Sequence, residues 1–245
     1  METQPFRILL YNVGYCTELD GSLWGYILHF YRYFYTPRRI LREVMRGLNR
    51  LVERVRPDLC CFAEIHKGRR SAPHLRSYTF HAIDNKYGRR SWLRRLPFFR
   101  NNCNGIFSQR PVSYRKSYFR NGTKKLMYEV KLENGACLLF AHFSLRAATR
   151  RRQFVELKEI VAKHDDVILC GDFNTFSHPE ELQKFARGSG LKIINPQAEA
   201  TYPAIHPTKD IDLFLCSRHI HLRAFHVLHE VKLSDHLPVL LEMEL

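Results

Sequence analysis

Residues 167–174 read VILCGDFN, in which a short apolar run is followed directly by Gly171, Asp172 and Asn174. A short apolar run bounded by turn residues is typical of a buried strand. Polar side chains at the end of a strand are held by a rigid support, which suits an active site. This segment therefore predicts a core strand that ends in a polar site.

Four other apolar segments carry polar residues at one end. Asp and Asn also favour ordinary turns, because their side chains hydrogen-bond the nearby backbone, so one such segment is weak evidence. Five together indicate a common site, and acid, amide and imidazole groups are the ligands that a hard divalent cation and its activated water require. The four further ends are Asn12 after FRILLY, Glu64 after DLCCFA, His142 after CLLFA, and Asp235-His236 before LPVLLEMEL.

The spacing of apolar residues predicts two amphipathic helices, Arg38–Val55 and Arg150–Lys163, and a shorter helix over Glu180–Arg187. Strands and helices mix without strict alternation, which favours a mixed sheet, or two sheets packed together, over a regular parallel barrel. No Gly-, Ser- or Pro-rich linker divides the chain, so a single domain is expected over residues 1–245. The predicted strands are Phe6–Val13, Asp58–Ile65, Asn104–Ser108, Lys125–Lys131, Ala136–Phe143, Val167–Cys170, Ile211–Cys216 and Pro238–Leu245, with a polar loop over Gly171–His178.

The chain has 39 Lys and Arg against 24 Asp and Glu, a formal net charge of +15. This charge favours an anionic partner, and nucleic acid, a lipid headgroup layer and a phosphorylated small molecule all remain open. A hydrophobic content of 45% is enough for a packed core and excludes a disordered protein. No apolar run approaches the ~20 residues of a membrane-spanning helix, so no transmembrane segment is expected.

The seven cysteines form no CxxC pair, and most of them lie in apolar, strand-like segments. They are expected to be reduced thiols in the core of a cytoplasmic protein, without disulfides or a structural zinc site. The first residues, METQP, lack the order of charged, apolar and small residues found in a signal peptide.

From Arg7 to the C-terminus the sequence resembles the endonuclease/exonuclease/phosphatase superfamily, which includes apurinic endonucleases, neutral sphingomyelinases and inositol polyphosphate phosphatases. The resemblance implies a four-layer α/β sandwich, with two mixed β-sheets packed face to face and helices outside. It also implies a metal-dependent hydrolase of phosphoric esters. The matching segments are Tyr11-Asn12, Pro57-Asp58 through Glu64, NGIFSQRP at residues 104–111, Ala141-His142-Phe143, GDFN at residues 171–174, Ile211-Asp212 and SDHLP at residues 234–238.

The resemblance implies that Asn12, Glu64 and Asp235 bind Mg²⁺ or Mn²⁺, with Glu64 as the principal carboxylate. Oxygen ligands of this kind suit Mg²⁺. Asp172 and Asn174 are expected to position the attacking water and a phosphate oxygen.

Four further positions complete the expected site. His236 is either the general base or a phosphate contact, oriented by Asp212, and His142 is expected near the phosphate. Asn104, which begins NGIFSQRP, is expected to contact the substrate. Arg150, the first of three consecutive arginines, is expected to guide a phosphate.

Two features depart from the family pattern. Ala63 precedes the metal-binding Glu64 where many members have Gln. Residues 206–210, HPTKD, lack the aromatics that apurinic endonucleases carry before the residue matched to Asp212, which makes an abasic-site enzyme a less favoured prediction. Asp212 is preferred to Asp210 because it lies between two apolar residues.

The segments Leu23–Tyr35 and Arg89–Arg100 lie outside the family motifs and combine aromatic rings with arginines. Such a composition suits a lipid headgroup interface, but it would also let nucleic-acid bases stack, or simply cover the core. The density of rings favours a phosphodiesterase that attacks phospholipid-type substrates with an activated water, contacting the membrane surface through Trp24–Tyr35 and Trp92–Phe99. One alternative is a DNA or RNA nuclease with the same site. Another is a catalytically silent binding module, which is disfavoured because a competent residue fills every site position.

Overall fold

The structure, a computed structural model, describes residues 4–33, 35–67, 75–97, 99–176 and 178–244. Phe34 and Phe98 of the two aromatic segments, Ser177 of the predicted polar loop and Leu245 of the predicted last strand lie outside the described residues.

The described residues form twelve strands and four α-helices. The strands are β1 (Phe6–Asn12), β2 (Leu59–His66), β3 (Phe80–Asn85), β4 (Asn102–Ser108), β5 (Ser113–Tyr118), β6 (Leu126–Lys131), β7 (Cys137–His142), β8 (Val167–Asp172), β9 (Lys192–Ile194), β10 (Asp212–Cys216), β11 (Leu222–Val227) and β12 (Val239–Met243). The helices are α1 (Leu23–His29), α2 (Arg38–Val55), α3 (Ala147–Val161) and α4 (Pro179–Ser189).

The strands form two six-stranded mixed sheets. The first has the order β11-β12-β1-β2-β4-β3, and the second has the order β5-β6-β7-β8-β10-β9. Each sheet contains one parallel pair, β1 with β2 and β7 with β8, and its other neighbours are antiparallel. This arrangement confirms the mixed, two-sheet fold that the sequence predicts.

The two sheets pack face to face because successive side chains of a strand point to opposite faces. In β1, Ile8 and Leu10 join the cluster between the sheets, together with Ile168 and Phe214 of the second sheet. Leu9 and its like-facing neighbours instead pack against α2. The outer face of the second sheet packs against α3 and α4, which completes a four-layer α/β sandwich.

Helix α2 has the bounds predicted from the apolar spacing. Its buried residues Leu41, Val44, Leu48 and Leu51 recur every three or four positions and cover the first sheet. The helix ends where Arg56 adopts a left-handed conformation, with φ of 49°, immediately before Pro57. Proline disfavours the helical conformation in the residue before it, which explains why the helix ends at this position.

Several elements differ from the sequence predictions. Four strands, β3, β5, β9 and β11, are not among the predicted ones. For two of them the reason is local, because β5 reads as the polar SYRKSY and β9 is only three residues long. Helix α3 begins at Ala147 rather than Arg150, and the segment from Leu23 begins with a short helix. Strand β8 continues through Gly171 to Asp172, so these two residues lie in the strand rather than in the predicted loop.

All seven cysteines are buried free thiols, as the sequence predicts. None of the helices in the described ranges combines the length and the apolar character needed to cross a bilayer.

Candidate active site

The polar strand ends meet at one edge of the sandwich because of strand direction. Parallel neighbours end at the same edge of a sheet, and Asn12 at the end of β1 lies opposite Ala63 in β2. In the second sheet His142 lies opposite Asp172 at the ends of β7 and β8. Strand β10 runs antiparallel to β8, so it brings its first residue, Asp212, opposite Asp172 at the same edge.

Asp172 lies at the centre of this cluster and is almost fully buried. Its Oδ2 accepts a hydrogen bond from Asn12 Nδ2 at 2.9 Å and lies 3.3 Å from His142 Nε2. Its Oδ1 accepts a hydrogen bond from the backbone N–H of Asn174 at 3.0 Å. The side chain is thus oriented by residues from three different elements.

His236 and Asp212 form a buried pair. Nδ1 of His236 lies 2.7 Å from Oδ2 of Asp212, which also accepts a hydrogen bond from Thr201 Oγ1 at 2.8 Å. Nε2 of His236 faces the centre of the site, 3.3 Å from Asn12 Nδ2. A carboxylate on one ring nitrogen fixes the tautomer and orientation of the imidazole. Asp210, the alternative considered from the sequence, is exposed.

The charges of this cluster shift the pKa values of its members. Burial alone would lower the pKa of His236, but the neighbouring carboxylates, Asp212 first, raise it to about 10. Burial raises the pKa of Asp172 to about 7, and the charge of Asp212 adds to the effect. At neutral pH the imidazole is therefore protonated, whereas Asp172 is close to its midpoint of ionisation.

Glu64 is placed by an irregularity in β2. The register between β2 and β4 shifts between Phe62 and Ile65, and Glu64 adopts a left-handed φ of 53°. Its backbone N–H donates to Asn104 Oδ1 at 3.1 Å. Such shifts redirect a side chain next to many active sites. Asn104, expected to contact substrate, thus supports the main chain of Glu64.

Two lysines and a tyrosine that the sequence did not reveal surround the Glu64 carboxylate. Oε1 accepts hydrogen bonds from Tyr15 Oη at 2.7 Å and from Lys86 Nζ at 3.0 Å, and it lies 3.5 Å from Lys124 Nζ. Burial, and then the charge of Lys124, holds the pKa of the Lys86 ammonium well below its usual range. Lys86 follows β3, which was not predicted, so no sequence pattern indicated it.

His142 lies between the two carboxylates of the site. Its Nε2 contacts both Asp172 Oδ2 and Lys124 Nζ, and its Nδ1 lies 3.7 Å from Glu64 Oε1. Burial, followed by the charge of Lys124, lowers the pKa of this imidazole well below its ordinary value. His142 is therefore neutral at pH 7, in contrast to His236.

Asp235 is held by contacts from distant parts of the chain. Its Oδ2 accepts a hydrogen bond from Tyr26 Oη of α1 at 2.6 Å, and its Oδ1 accepts one from Ser234 Oγ at 3.0 Å. Tyr26 Oη also lies 3.1 Å from Tyr202 Oη, whose ring packs against His236 with centroids 4.9 Å apart. Tyr26 lies in the aromatic segment Leu23–Tyr35, which the sequence predicts as a membrane contact rather than as part of the site, and Tyr202 lies outside the motifs named above.

Arg150 has a different environment from the one expected. It is only 2% exposed, and its guanidinium donates to the carbonyl oxygens of Ser144, Leu145 and Asn174 at 2.8–3.1 Å. It also pairs with the Glu181 carboxylate at 2.9 Å. The sequence predicts a phosphate contact for this guanidinium, which partners from the chain itself already engage.

Arg150 instead holds the loop that carries Asn174. Asn174 has a left-handed φ of 54°, and its Nδ2 donates to the carbonyl of Phe143 at 3.1 Å. With the main chain held by Arg150 and the amide nitrogen engaged, the amide oxygen is the group that Asn174 can offer to the site.

The donor set fits a divalent cation. Ligand atoms of Asp172, Asp212 and His236 lie within 4.8 Å of one another. Asp212 and His236 are already hydrogen-bonded to each other, and the carboxylates of Glu64 and Asp235 likewise accept hydrogen bonds from neighbouring side chains. Carboxylate oxygens suit a hard cation better than an imidazole nitrogen does, which favours Glu64 and Asp235 as ligands. Burial raises the pKa of Glu64. Asp212 Oδ1 is buried without a hydrogen-bond partner, so this edge also retains an unused acceptor.

Comparison with known proteins identifies chains of the same fold. Three similar solved structures are an endonuclease/exonuclease/phosphatase from Beutenbergia cavernae DSM 12333 (15% identity, TM-score 0.71, covering 99% of this chain and 72% of the other), the human Nocturnin catalytic domain (19%, 0.68, 98% and 93%) and a mannosyl-6-phosphatase from Bacteroides thetaiotaomicron VPI-5482 (14%, 0.67, 98% and 100%). No curated protein sequence matched the chain.

The family model described as "Endonuclease/Exonuclease/phosphatase family" matches residues 10–236, which include each of the sequence-predicted site residues. The solved structures, at these identities, establish the shared fold. The chain therefore belongs to the endonuclease/exonuclease/phosphatase family of metal-dependent phosphoesterases.

Proposed function

We propose that this phosphoesterase hydrolyses a phosphodiester by in-line attack of a water molecule that its own side chains position. The observation that carries the proposal is the cluster around Asp172. The Asn12 amide, the His142 imidazole and the backbone N–H of Asn174 lie within 3.3 Å of its carboxylate oxygens. His236 joins the cluster through Asn12, whose Nδ2 lies 3.3 Å from His236 Nε2. Acceptors for a water and donors for a phosphate lie side by side, as this reaction requires.

Each role follows from an atom and its partners. Asp172, whose pKa is raised to about 7, is suited to accept a proton from the attacking water near neutral pH. Asn174 orients that water through its amide oxygen. His236, protonated at this pH, contacts a phosphate oxygen through Nε2, and neutral His142 lies on the other side of Asp172.

The oxygens of Asn12, Glu64 and Asp235 would hold Mg²⁺ or Mn²⁺, and the bound cation would neutralise charge that develops on the phosphate. Lys124 adds positive charge beside Glu64 and is suited to attract an anionic substrate, whereas Lys86, whose pKa is lowered, is suited to orient the Glu64 carboxylate as a hydrogen-bond donor. We assign Asn104 to supporting Glu64 and Arg150 to supporting Asn174, rather than to direct substrate contact.

For the substrate we favour a phospholipid-type diester at a membrane surface. The support is helix α1, which sends Tyr26 to Asp235 while Trp24 on the same helix is 68% exposed. An exposed tryptophan beside a phosphodiesterase site is what a lipid headgroup interface selects. We further propose a cytoplasmic, peripheral location, in keeping with seven free thiols.

A nuclease is the second candidate. It is favoured by residues 89–100, RRSWLRRLPFFR, which hold five arginines and no acid, with the side chain of Trp92 exposed. Proteins that bind single-stranded nucleic acid typically stack bases on an aromatic ring and contact the phosphate backbone with neighbouring cations.

The test uses purified protein with Mg²⁺, phospholipid vesicles and single- and double-stranded DNA in one tube. Asp172→Asn should lower turnover about 10²–10⁴-fold, because a positioned proton acceptor is lost. The matched control, Asp210→Asn, changes an exposed carboxylate two positions from Asp212 and should keep the wild-type rate. Thermal unfolding of both variants verifies that the fold is kept.

The products decide between the substrates. Release of water-soluble phosphate-containing headgroups with intact DNA supports the phospholipid-type substrate. Cleaved DNA with intact lipid replaces it with the nuclease. Wild-type turnover in Asp172→Asn would contradict the proposed mechanism for either substrate.

A further inference from the structure

Helix α1 has one face that is exposed and apolar, and another that contacts the active site. At about 100° per residue, Leu23, Trp24, Ile27 and Leu28 span an arc of roughly 140°, and Tyr26 lies roughly 130° from its centre. These four apolar side chains are 58–73% exposed, whereas Tyr26 turns inward to Asp235. We call the set Leu23, Trp24, Ile27 and Leu28 the α1 apolar face.

No side chain of α1 is fully buried, which is unusual for a helix rich in large apolar residues. Such residues normally cover a core, and a contiguous apolar surface at the mouth of a site marks an interaction surface. The helix is nevertheless held in place. Ser22 caps its first turn by accepting from the N–H of Gly25 at 2.9 Å, and Tyr26 ties it to the site.

The charge of the chain favours an anionic partner for the α1 apolar face, because its formal net charge is +15. Arg32, just after α1, donates to the carbonyl of Thr17 at 3.1 Å and lies 3.9 Å from the Glu18 carboxylate. Arg38 and Arg42 of α2 are exposed, whereas Arg39 pairs with Glu43. Large apolar side chains flanked by cations are the composition of a helix that lies in the interface of an anionic bilayer.

We propose that the α1 apolar face inserts into the surface of an anionic phospholipid bilayer and thereby holds the active site, through the same helix, against the headgroups. This inference rests on the proposed phosphodiesterase function and names the surface from which its substrate is taken. The face is apolar over a whole arc rather than one stacking ring, which favours a bilayer over a nucleic acid.

The chain provides its own reporter, because it has only two tryptophans, Trp24 and Trp92, and both are largely exposed. In Trp92→Phe all tryptophan emission comes from Trp24. Vesicles of phosphatidylcholine and phosphatidylglycerol should shift that emission to shorter wavelength and protect it from iodide quenching. Unshifted, fully quenchable emission at saturating lipid would overturn the proposal.

Vesicle co-sedimentation tests the face itself. The double variant Trp24→Ser/Ile27→Ser should bind the mixed vesicles at least about tenfold more weakly, since two large apolar side chains no longer leave water. Val155→Ser is the matched control, because Val155 is 65% exposed on α3, in the outer helical layer of the second sheet. Thermal unfolding of each variant verifies the fold.

The outcomes separate this inference from the proposed function. Wild-type vesicle binding by the double variant, or a loss of oligonucleotide binding in place of vesicle binding, overturns the docking surface. Hydrolysis of a soluble phosphodiester, measured on the same preparations, reports on the catalytic site alone. Docking without any hydrolysis would contradict the proposed function and leave the surface standing.

Discussion

Arg150 is a buried cation in the first turn of α3, and replacing it with methionine tests whether it supports the fold or contacts substrate. Methionine keeps an apolar stem of similar length but removes every donor. Three carbonyls each lose a partner, and that of Asn174 is buried, while Glu181 loses one of its two arginines.

The magnitude follows from these contacts. Breaking a buried ion pair by removing one member costs about 3–5 kcal/mol. The lower value applies, because Arg151 still pairs with Glu181 at 2.9 Å. A loss of about 3 kcal/mol in a chain of this size corresponds to a fall in Tm of about 6–12 °C. The kcat should fall as well, because Asn174 loses the donor to its carbonyl, whereas KM should change little.

Thermal unfolding followed by circular dichroism, together with steady-state kinetics on a soluble diester, measures both effects. Arg151→Met is the matched control, since it removes a half-exposed arginine from the same Glu181 carboxylate and should cost less than about 1 kcal/mol. A large rise in KM with an unchanged Tm in Arg150→Met would refute this reasoning and restore the phosphate contact.

Three further changes have defined outcomes. Gly171→Ala should destabilise the protein by about 3 kcal/mol or more in urea unfolding, because its Cβ would lie 1.8 Å from a carbonyl oxygen of β7 and its φ is 155°. Gly135→Ala, in an open turn, should cost less. The His236 pKa of about 10 exceeds that of an unfolded histidine, so the stabilisation it gives is complete below about pH 6.5 and is lost as the pH rises towards 10. In Asp212→Asn burial remains and the largest of the charges that raise the His236 pKa is removed, while Asp235 and Asp172 stay. NMR titration should therefore show a lowered His236 pKa, and an unchanged value would contradict the pairing. Glu64→Gln should raise the Mg²⁺ concentration for half-maximal activity at least about tenfold, and an unchanged Mg²⁺ titration would exclude Glu64 as a ligand.

Local patterns were sufficient for the elements with a clear apolar signal, either a stripe at helical spacing or a continuous buried run. The bounds of α2 follow from its apolar spacing and from Pro57, which ends it. The strands that carry Asn12, His142 and Asp172 were found because each is a nearly continuous buried run. In contrast, β5 has an exposed, polar sequence, and the pairing that makes it a strand is provided by β6.

The polar residues at the ends of apolar runs could be identified from local sequence, and their resemblance to a family pattern indicated their chemistry. The side chains that surround them could not, because they come from distant parts of the chain. Lys86 and Glu64 are 22 positions apart, and Tyr26 and Asp235 are 209 apart. Periodicity reports on contacts within one element, whereas these contacts arise only when separate strands, loops and a helix come together in the fold. For the same reason the sequence presented Arg150 as one of three equivalent arginines, and packing alone buried it against Asn174.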